Sequence, residues 1–143
     1  MGFRLSVNGM NGKIELDEKT VQTVVFYSQS AKDSNARATD FGLAAKITGK
    51  MLFKVGGSGA DGTLELSKWS QVPSEQADCY RNAEISVISA GQVVRKYVFP
   101  NAFVMEYEER LDDETGVGNF YLHIKQKKDE NAVVKVDGGY GEE

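Results

Sequence analysis

The sequence contains few of the residues from which catalytic or cross-linked sites are built. Among its 143 residues are one cysteine (Cys79), one histidine (His123) and two prolines. A single cysteine excludes an intrachain disulfide framework, and a single histidine excludes a zinc site with two histidine ligands. No apolar run approaches the roughly 20 residues that a membrane-spanning helix needs. We therefore expect no metal, no cofactor and no membrane insertion.

The charge balance also narrows the possible functions. Seventeen Lys and Arg residues stand against 21 Asp and Glu, which gives a formal net charge of −4. An acidic chain without a basic stripe is not expected to bind nucleic acid. Hydrophobic residues make up 41% of the chain, enough to build a core and to argue against disorder. The start of the chain has no charged region followed by a long apolar stretch, so we expect no signal peptide and synthesis in the cytoplasm. Later release or ejection remains open.

The length and the glycine pattern predict one domain over residues 1–143. The glycines cluster between short segments, as expected of turns that separate strands. The last segment, Asp137–Glu143, is rich in glycine and acid, and we expect it to fray as a flexible tail.

Alternation of apolar and polar residues with a period of two dominates the chain, and this alternation predicts strands. The segment Thr20–Gln29 differs because it carries apolar groups on both faces, with Val24 and Phe26 on one of them. Such a strand is buried on both sides, or its second face meets another subunit. Later in the chain the alternation predicts that three residues share one face: Phe103, Met105 and Tyr107.

One segment has helical spacing instead. Between Asp61 and Val72, Leu66 and Trp69 are three residues apart and therefore lie on one face of a short helix. Seven or eight strands in one antiparallel sheet tend to curl or split. The predicted fold is therefore mainly β, an antiparallel β-barrel or two-sheet sandwich with one short α-helix.

Two pairs of residues offer the raw material for catalysis, and neither is favoured. Cys79 and His123 could form a nucleophile and base, but Cys79 lies in a polar stretch without any signal of a low pKa. Glu106 and Glu108 project from one strand face, as the two acids of a glycosidase do. Their acidic neighbourhood is more typical of a solvated hairpin turn at residues 112–118. We therefore predict that the protein is not an enzyme.

The least ordinary segment is a long polar loop after the third strand. A hairpin connection normally takes two to five residues, whereas Ser28–Asp40 is longer and contains neither glycine nor proline. Such a segment is either disordered or an arm that adds to a neighbouring chain.

The order of these features resembles the tube-forming family of contractile injection systems. That family includes the haemolysin-coregulated protein (Hcp) of type VI secretion and the tail-tube proteins of phages. The resemblance covers about Phe3 to Lys127. It is carried by Tyr27-Ser-Gln-Ser before the polar loop, Lys46-Ile-Thr-Gly-Lys, Leu66-Ser-Lys-Trp69 on the helix, and Val94-Arg-Lys-Tyr-Val-Phe running into Asn101-Ala-Phe-Val-Met-Glu-Tyr-Glu-Glu.

The resemblance implies a structural role. It implies an inner-tube subunit that forms hexameric rings, with the rings stacked into a tube that delivers effectors. Partners would be other copies of the chain, a sheath, baseplate or spike proteins, and cargo in the lumen. On this interpretation the subunit or ring interface includes Ser30, Lys32, Asp33, Asn35, Arg37, Asp40, Val24 and Phe26.

Two other classes of function remain open. The first is a monomeric β-sandwich that binds carbohydrate or protein, with Tyr97, Tyr107 or Tyr121 as a stacking platform. The second is a small hydrolase that uses the region of Glu106 and Glu108. A binding module should be monomeric in solution, whereas a tube protein should form rings or tubes. The sequence does not distinguish type VI secretion from an extracellular injection particle, a bacteriocin or a phage.

Overall fold

Strands make up most of the described structure. The computed structural model describes residues 1–10, 12–29, 42–51, 62–127 and 135–138. The described helices are α1 (Gly62–Ser70) and a 3-10 turn at Ala77–Cys79. The strands are β1 (Gly2–Gly9), β2 (Gly12–Leu16), β3 (Val21–Gln29), β4 (Gly42–Met51), β5 (Arg81–Ser89), β6 (Gln92–Leu111), β7 (Gly118–Gln126) and β8 (Lys135–Gly138).

The eight described strands form one antiparallel sheet. Its order is β2-β1-β5-β6-β7-β4-β3, and β8 pairs with the first half of β6. The sheet curls so that β1 and β3, which lie far apart in this order, come close to each other. They are not hydrogen-bonded neighbours, so the sheet is not closed. The predicted antiparallel, mainly β fold with a short helix is confirmed.

The inner face of the curled sheet holds the core. Strand β7 illustrates the predicted alternation, because Phe120, Leu122 and Ile124 are buried while the residues between them are less so. Apolar side chains on the inner faces of other strands, together with two from the helix, complete the core. The buried cluster consists of Leu5, Val7, Ile14, Leu16, Val21, Ala45, Ile47, Met51, Leu66, Trp69, Ala83, Ile85, Phe99, Ala102, Phe120, Leu122 and Ile124.

Strand β6 is 20 residues long and is bent by irregularities. One of them lies between the pairs Ala83–Phe99 and Arg81–Ala102, at Pro100 and Asn101. Proline lacks an N–H to donate, so a bulge is a position where a strand tolerates it. The displaced N–H of Asn101 donates to the side-chain oxygen of the buried Gln126 over 3.3 Å. A buried glutamine thus satisfies a backbone group that the bulge removes from the ladder.

A second bulge in β6 overturns one expectation. The register shifts between Val104 and Glu106, so Met105 is an extra residue and the alternation changes phase there. Val104 and Tyr107 pack against the core, whereas Met105 is 50% exposed. The prediction that Phe103, Met105 and Tyr107 share one face is wrong for this reason: Tyr107 lies on the inner face with Val104, and Phe103 lies on the opposite face.

Helix α1 lies across one end of the sheet, between the edge strand β2 and the second half of β6. Its buried side chains are Thr63, Leu66 and Trp69, which confirms the predicted helix face. The phenol of Tyr107 donates to the backbone oxygen of Thr63 over 3.2 Å and ties the helix to β6. In the described ranges, no helix is both long enough and apolar enough to cross a bilayer.

Two residues of the predicted C-terminal tail belong to a strand. Asp137 and Gly138 belong to β8 and pair with Lys96 and Arg95 of β6. Residues 139–143 lie outside the described residues.

Candidate subunit interface

Most of the predicted interface residues lie outside the described residues. These are Ser30, Lys32, Asp33, Asn35, Arg37 and Asp40, all between β3 and β4. The structure describes the other two, Val24 and Phe26. Both are half-buried and pack against the core from β3. Their role in an interface remains a prediction.

Strand β3 carries apolar groups on both faces, as the sequence predicts. On the inner face the ring of Phe26 stacks on Tyr97 with centroids 4.6 Å apart, and meets the edge of Phe99 at 6.0 Å. On the other face Val25 is 53% exposed. The strand is therefore buried on one side only in the single chain.

A cleft opens where the sheet fails to close, between β1 and β3. We call it the seam cleft, and its volume is about 420 Å³. Most of its lining side chains are apolar. The one charged group among them is the guanidinium of Arg95, which forms no ion pair with any residue in the described ranges. The lining residues are Met1, Phe3, Val24, Phe26, Val87, Val94, Arg95 and Tyr97.

The outer face of the sheet carries a polar row that crosses β4, β7 and β6. His123 is paired with Lys46 on one side and with Glu106 on the other. The hydroxyl of Tyr27 and Nε2 of His123 are hydrogen-bonded at 2.6 Å. Burial lowers the pKa of His123, the Lys46 charge lowers it further, and Glu106 opposes the shift. The imidazole is therefore held neutral at neutral pH, with a structural partner on β3.

Glu106 of this row and Glu108 beyond it are both solvent-exposed. They border an open concavity of about 440 Å³. Glu108 is already bound by Arg110. Nearby, burial first and the Glu106 charge second raise the pKa of Tyr121. Because neither carboxyl is buried, the site lacks the desolvated acid that a glycosidase needs.

Cys79 and His123 are not brought together. The carbonyl oxygen of Cys79 accepts a hydrogen bond from the indole N–H of Trp69 at 2.9 Å. Burial raises the pKa of the Cys79 thiol, which is the reverse of what a nucleophile requires. In the described ranges, no group of three His, Cys, Asp or Glu residues could hold a metal ion.

Sequence reasoning missed a set of contacts that holds the segment after α1. We call the contacts of Asp78 with Arg81 and Met10 the bracket. The Asp78 carboxylate accepts hydrogen bonds from Nη2 of Arg81 at 2.6 Å and from the backbone N–H of Met10 at 3.2 Å. The Arg81 guanidinium also lies 5.5 Å from the centre of the Trp69 ring. The bracket joins residues 71–81 to the turn between β1 and β2. The Asp78–Arg81 spacing was a signal for the ion pair, but not for Met10.

The turn between β6 and β7 is an exposed, preorganised projection. We call residues 111–117 the acidic turn. The side chain of Asp112 accepts the N–H of Glu114 at 2.9 Å, and its carbonyl accepts the N–H of Gly116 at 3.0 Å. Gly116 has a φ of 68°, a conformation that favours glycine. Two apolar side chains are also exposed there, Leu111 at 67% and Val117 at 43%. The predicted solvated turn is confirmed.

Comparison with solved structures identifies the fold. Hcp1 from Flavobacterium johnsoniae superposes with a TM-score of 0.54 at 15% identity, and the match covers 95% of this chain and 96% of that one. A chain of the anti-feeding prophage baseplate, whose cryo-EM structure is sixfold symmetrised, gives 0.56 at 12% identity, covering 96% and 93%. A chain of the sheath–tube complex of PVC, an extracellular contractile injection system, gives 0.51 at 14%, covering 95% and 89%.

Comparison with protein families finds no match, and comparison with curated proteins finds none either. The structural matches run over nearly the whole length of both chains, so they concern the entire fold rather than a shared motif. At these identities they establish the fold alone. The chain therefore has the fold of Hcp1 and of subunits of contractile injection systems.

Proposed function

We propose that the protein is an inner-tube subunit of a contractile injection system or of a phage-tail-like particle. The observation that carries the proposal is the structural match to Hcp1 over 95% of this chain and 96% of that one. Two further matches are chains of a sheath–tube complex and of a sixfold-symmetrised baseplate. The subunit is proposed to form hexameric rings that stack into a tube.

The open sheet supports this role. A tube subunit needs surfaces that remain unsatisfied in the single chain and are covered by the next copy. The edge strand β3 and the seam cleft next to it are such surfaces. Unpaired edges and apolar clefts are a liability in a monomer, and ring contacts remove that liability. A head-to-tail contact closes into a ring when its rotation allows, and an open contact between rings gives a filament.

The remaining partners follow from the same role. We propose a sheath outside the tube, baseplate or spike proteins at its end, and cargo in its lumen. The segment at residues 30–40, together with Val24 and Phe26, remains our candidate for contacts between subunits or rings. The subunit is proposed to be made in the cytoplasm and ejected with the particle, and to have no catalytic activity of its own.

No observation favours the alternative of a monomeric binding module. Its stacking platform would need exposed aromatic rings on a common surface. Tyr97 is instead stacked on Phe26 at the seam. The hydroxyl of Tyr107 lies within hydrogen-bonding distance of the Thr63 carbonyl on the helix and of the Glu109 carboxylate, and Tyr121 lies half-buried on the outer face. The three tyrosines therefore do not form one platform.

Assembly is the direct test. The purified protein should be measured by size-exclusion chromatography with light scattering over a range of concentrations, and imaged by negative-stain electron microscopy. We expect sixfold rings that stack as the concentration rises. A monomer at every concentration, with no rings in the micrographs, would contradict the tube assignment and favour the binding module.

A further inference from the structure

No element in the described part of the chain covers the seam cleft. Its walls combine apolar side chains from β1, β3, β5 and β6 with the guanidinium of Arg95, which has no ion-pair partner among the described residues. Val94 on its rim is 38% exposed, and the aromatic pair of Phe26 and Tyr97 forms its wall. An occupant that suits this cleft offers apolar side chains together with negative charge.

The acidic turn of the same chain has that chemistry. Leu111 and Val117 present exposed apolar side chains, and the exposed acids Asp112, Asp113 and Glu114 lie between them in the chain. Asp113 and Glu114 take part in no ion pair within the described ranges. The Asp112 hydrogen bonds fix the shape of the turn before any contact forms, which lowers the entropic cost of docking.

The two features cannot meet within one chain. Both are attached to β6, with Arg95 near its start and Leu111 at its end. At about 3.3 Å per residue, the 16 steps between them span roughly 50 Å of strand, less where bulges bend it. The acidic turn and the seam cleft, at opposite ends of one strand, are suited to a head-to-tail contact between copies. Each copy can insert its turn into the cleft of one neighbour and accept the turn of another in its own cleft.

We propose that the acidic turn of one copy docks into the seam cleft of the next. Leu111 and Val117 then pack on the apolar walls, and the carboxylates of residues 112–114 lie at Arg95. The inference rests on the proposed tube function and adds a specific contact to it. It also gives Val24 and Phe26 a defined role as walls of the receiving cleft.

Cysteine cross-linking tests the contact directly. In a Cys79→Ser background, which keeps the backbone carbonyl that binds Trp69, the chain receives Val94→Cys in the cleft and Val117→Cys in the turn. Oxidation with copper phenanthroline in air should link each copy to the next and give a ladder of covalent multimers. An equimolar mixture of the two single variants should give Val94–Val117 dimers without a ladder.

The matched control keeps Val117→Cys and replaces Val94→Cys by Val25→Cys. Val25 is more exposed than Val94 but lies on the face of β3 that is turned away from the cleft. That pair should give no ladder. Charge reversal provides a second readout. Arg95→Glu should weaken assembly at least about tenfold at low salt, and adding Asp113→Arg to the same chain should restore it.

The outcomes separate the inference from the function on which it rests. If the parent protein forms no rings or multimers, the tube function fails and this contact falls with it. If the parent forms rings but the Val94–Val117 pair gives no more ladder than the control pair, the contact is wrong and the tube function stands. If Asp113→Arg does not restore the assembly of Arg95→Glu, and the ladder is absent, the proposed contact is likewise wrong.

Discussion

The curled sheet is covered at one place and left open at another. At the end between β2 and β6, helix α1 buries Leu66 and Trp69, and Trp69 is 1% exposed. At the seam between β1 and β3 no described element covers the cleft, and Phe26 remains half-buried. The first gap is closed by the chain itself. The second gap is the surface that the proposed contact between copies would cover, since apolar clefts are costly to leave in water.

The covered end should dominate the stability of the single chain. Replacing Trp69→Ala empties a buried aromatic site, removes the hydrogen bond to the Cys79 carbonyl, and takes away the ring beneath Arg81. We expect the free energy of unfolding to fall by about 3–5 kcal/mol. Urea unfolding followed by circular dichroism measures it, because the variant has no tryptophan fluorescence.

Leu64→Ala on the same helix is the control, because Leu64 is exposed and should cost less than about 1 kcal/mol. In the parent, the emission of Trp69 should be blue-shifted. An unchanged unfolding midpoint for Trp69→Ala would mean that the helix does not cover the core.

The bracket at Asp78 should have the next largest effect. Asp78→Ala removes the ion pair with Arg81 and leaves the N–H of Met10 without its acceptor. The expected cost is about 1–3 kcal/mol. Glu75→Ala is the matched control, since this exposed carboxylate precedes the bracket in the same segment.

The cost at Asp78 should depend on pH. The hydrogen bond from Arg81 lowers the pKa of Asp78 below its ordinary value of 3.8. The stabilisation is therefore fully present above about pH 4 and is lost as the pH falls through the lowered pKa of the folded protein. The difference between parent and variant should be constant from pH 7 to pH 5 and shrink below pH 4. A difference that grows on acidification would contradict the assignment.

At the open seam, Phe26→Ala should cost less than Trp69→Ala in the isolated subunit. The side chain is half-buried, and its stacking on Tyr97 and edge contact with Phe99 contribute a modest amount beyond burial. We expect a loss of about 1–2 kcal/mol by urea unfolding, against almost none for Val25→Ala on the exposed face. If Phe26→Ala costs as much as Trp69→Ala, the seam is part of the closed core and the contrast between the two regions disappears.

The sequence predicted what local pattern can encode. Alternation located the strands, and the spacing of Leu66 and Trp69 located the helix and its buried face. The bulge at Met105 was not predictable, because an extra residue in a strand has no characteristic composition. Its effect is that the residues after Met105 point to the opposite face of the sheet from the one that simple alternation predicts. The contact of Asp78 with Met10 joins residues 68 positions apart, so it depends on how the strands are ordered in the sheet.

The candidate interface was predicted less completely. Two-sided apolarity identified β3 as a special strand, and the structure places Val24 and Phe26 on its inner side, at the seam. The cleft itself has walls from four strands, so no single segment of sequence indicated it. The acidic turn was correctly expected to be solvated. The sequence did not suggest a role for its exposed Leu111 and Val117, because the proposed role depends on the seam cleft of another copy.

The smallest effect on stability is expected from the polar segment between β3 and β4. Replacing Ser30–Asp40 by a short Gly-Ser linker should leave the melting temperature nearly unchanged, because such a polar sequence buries little apolar surface. Tube growth, followed by light scattering and electron microscopy, should be lost if the segment connects subunits or rings. The comparison thereby separates residues that hold the subunit together from residues that hold copies together.

Charge reversal sharpens this last test. Arg37→Glu should weaken stacking more at low salt than at high salt, because ions screen the interaction that is being changed. Lys50→Glu on β4 makes the same change of charge outside the segment and should have a smaller effect on stacking. If the shortened protein still polymerises like the parent, the segment is a passive loop and the seam cleft is left to carry the assembly. If it fails to fold, the segment belongs to the folded subunit, and its assignment as an arm between copies is wrong.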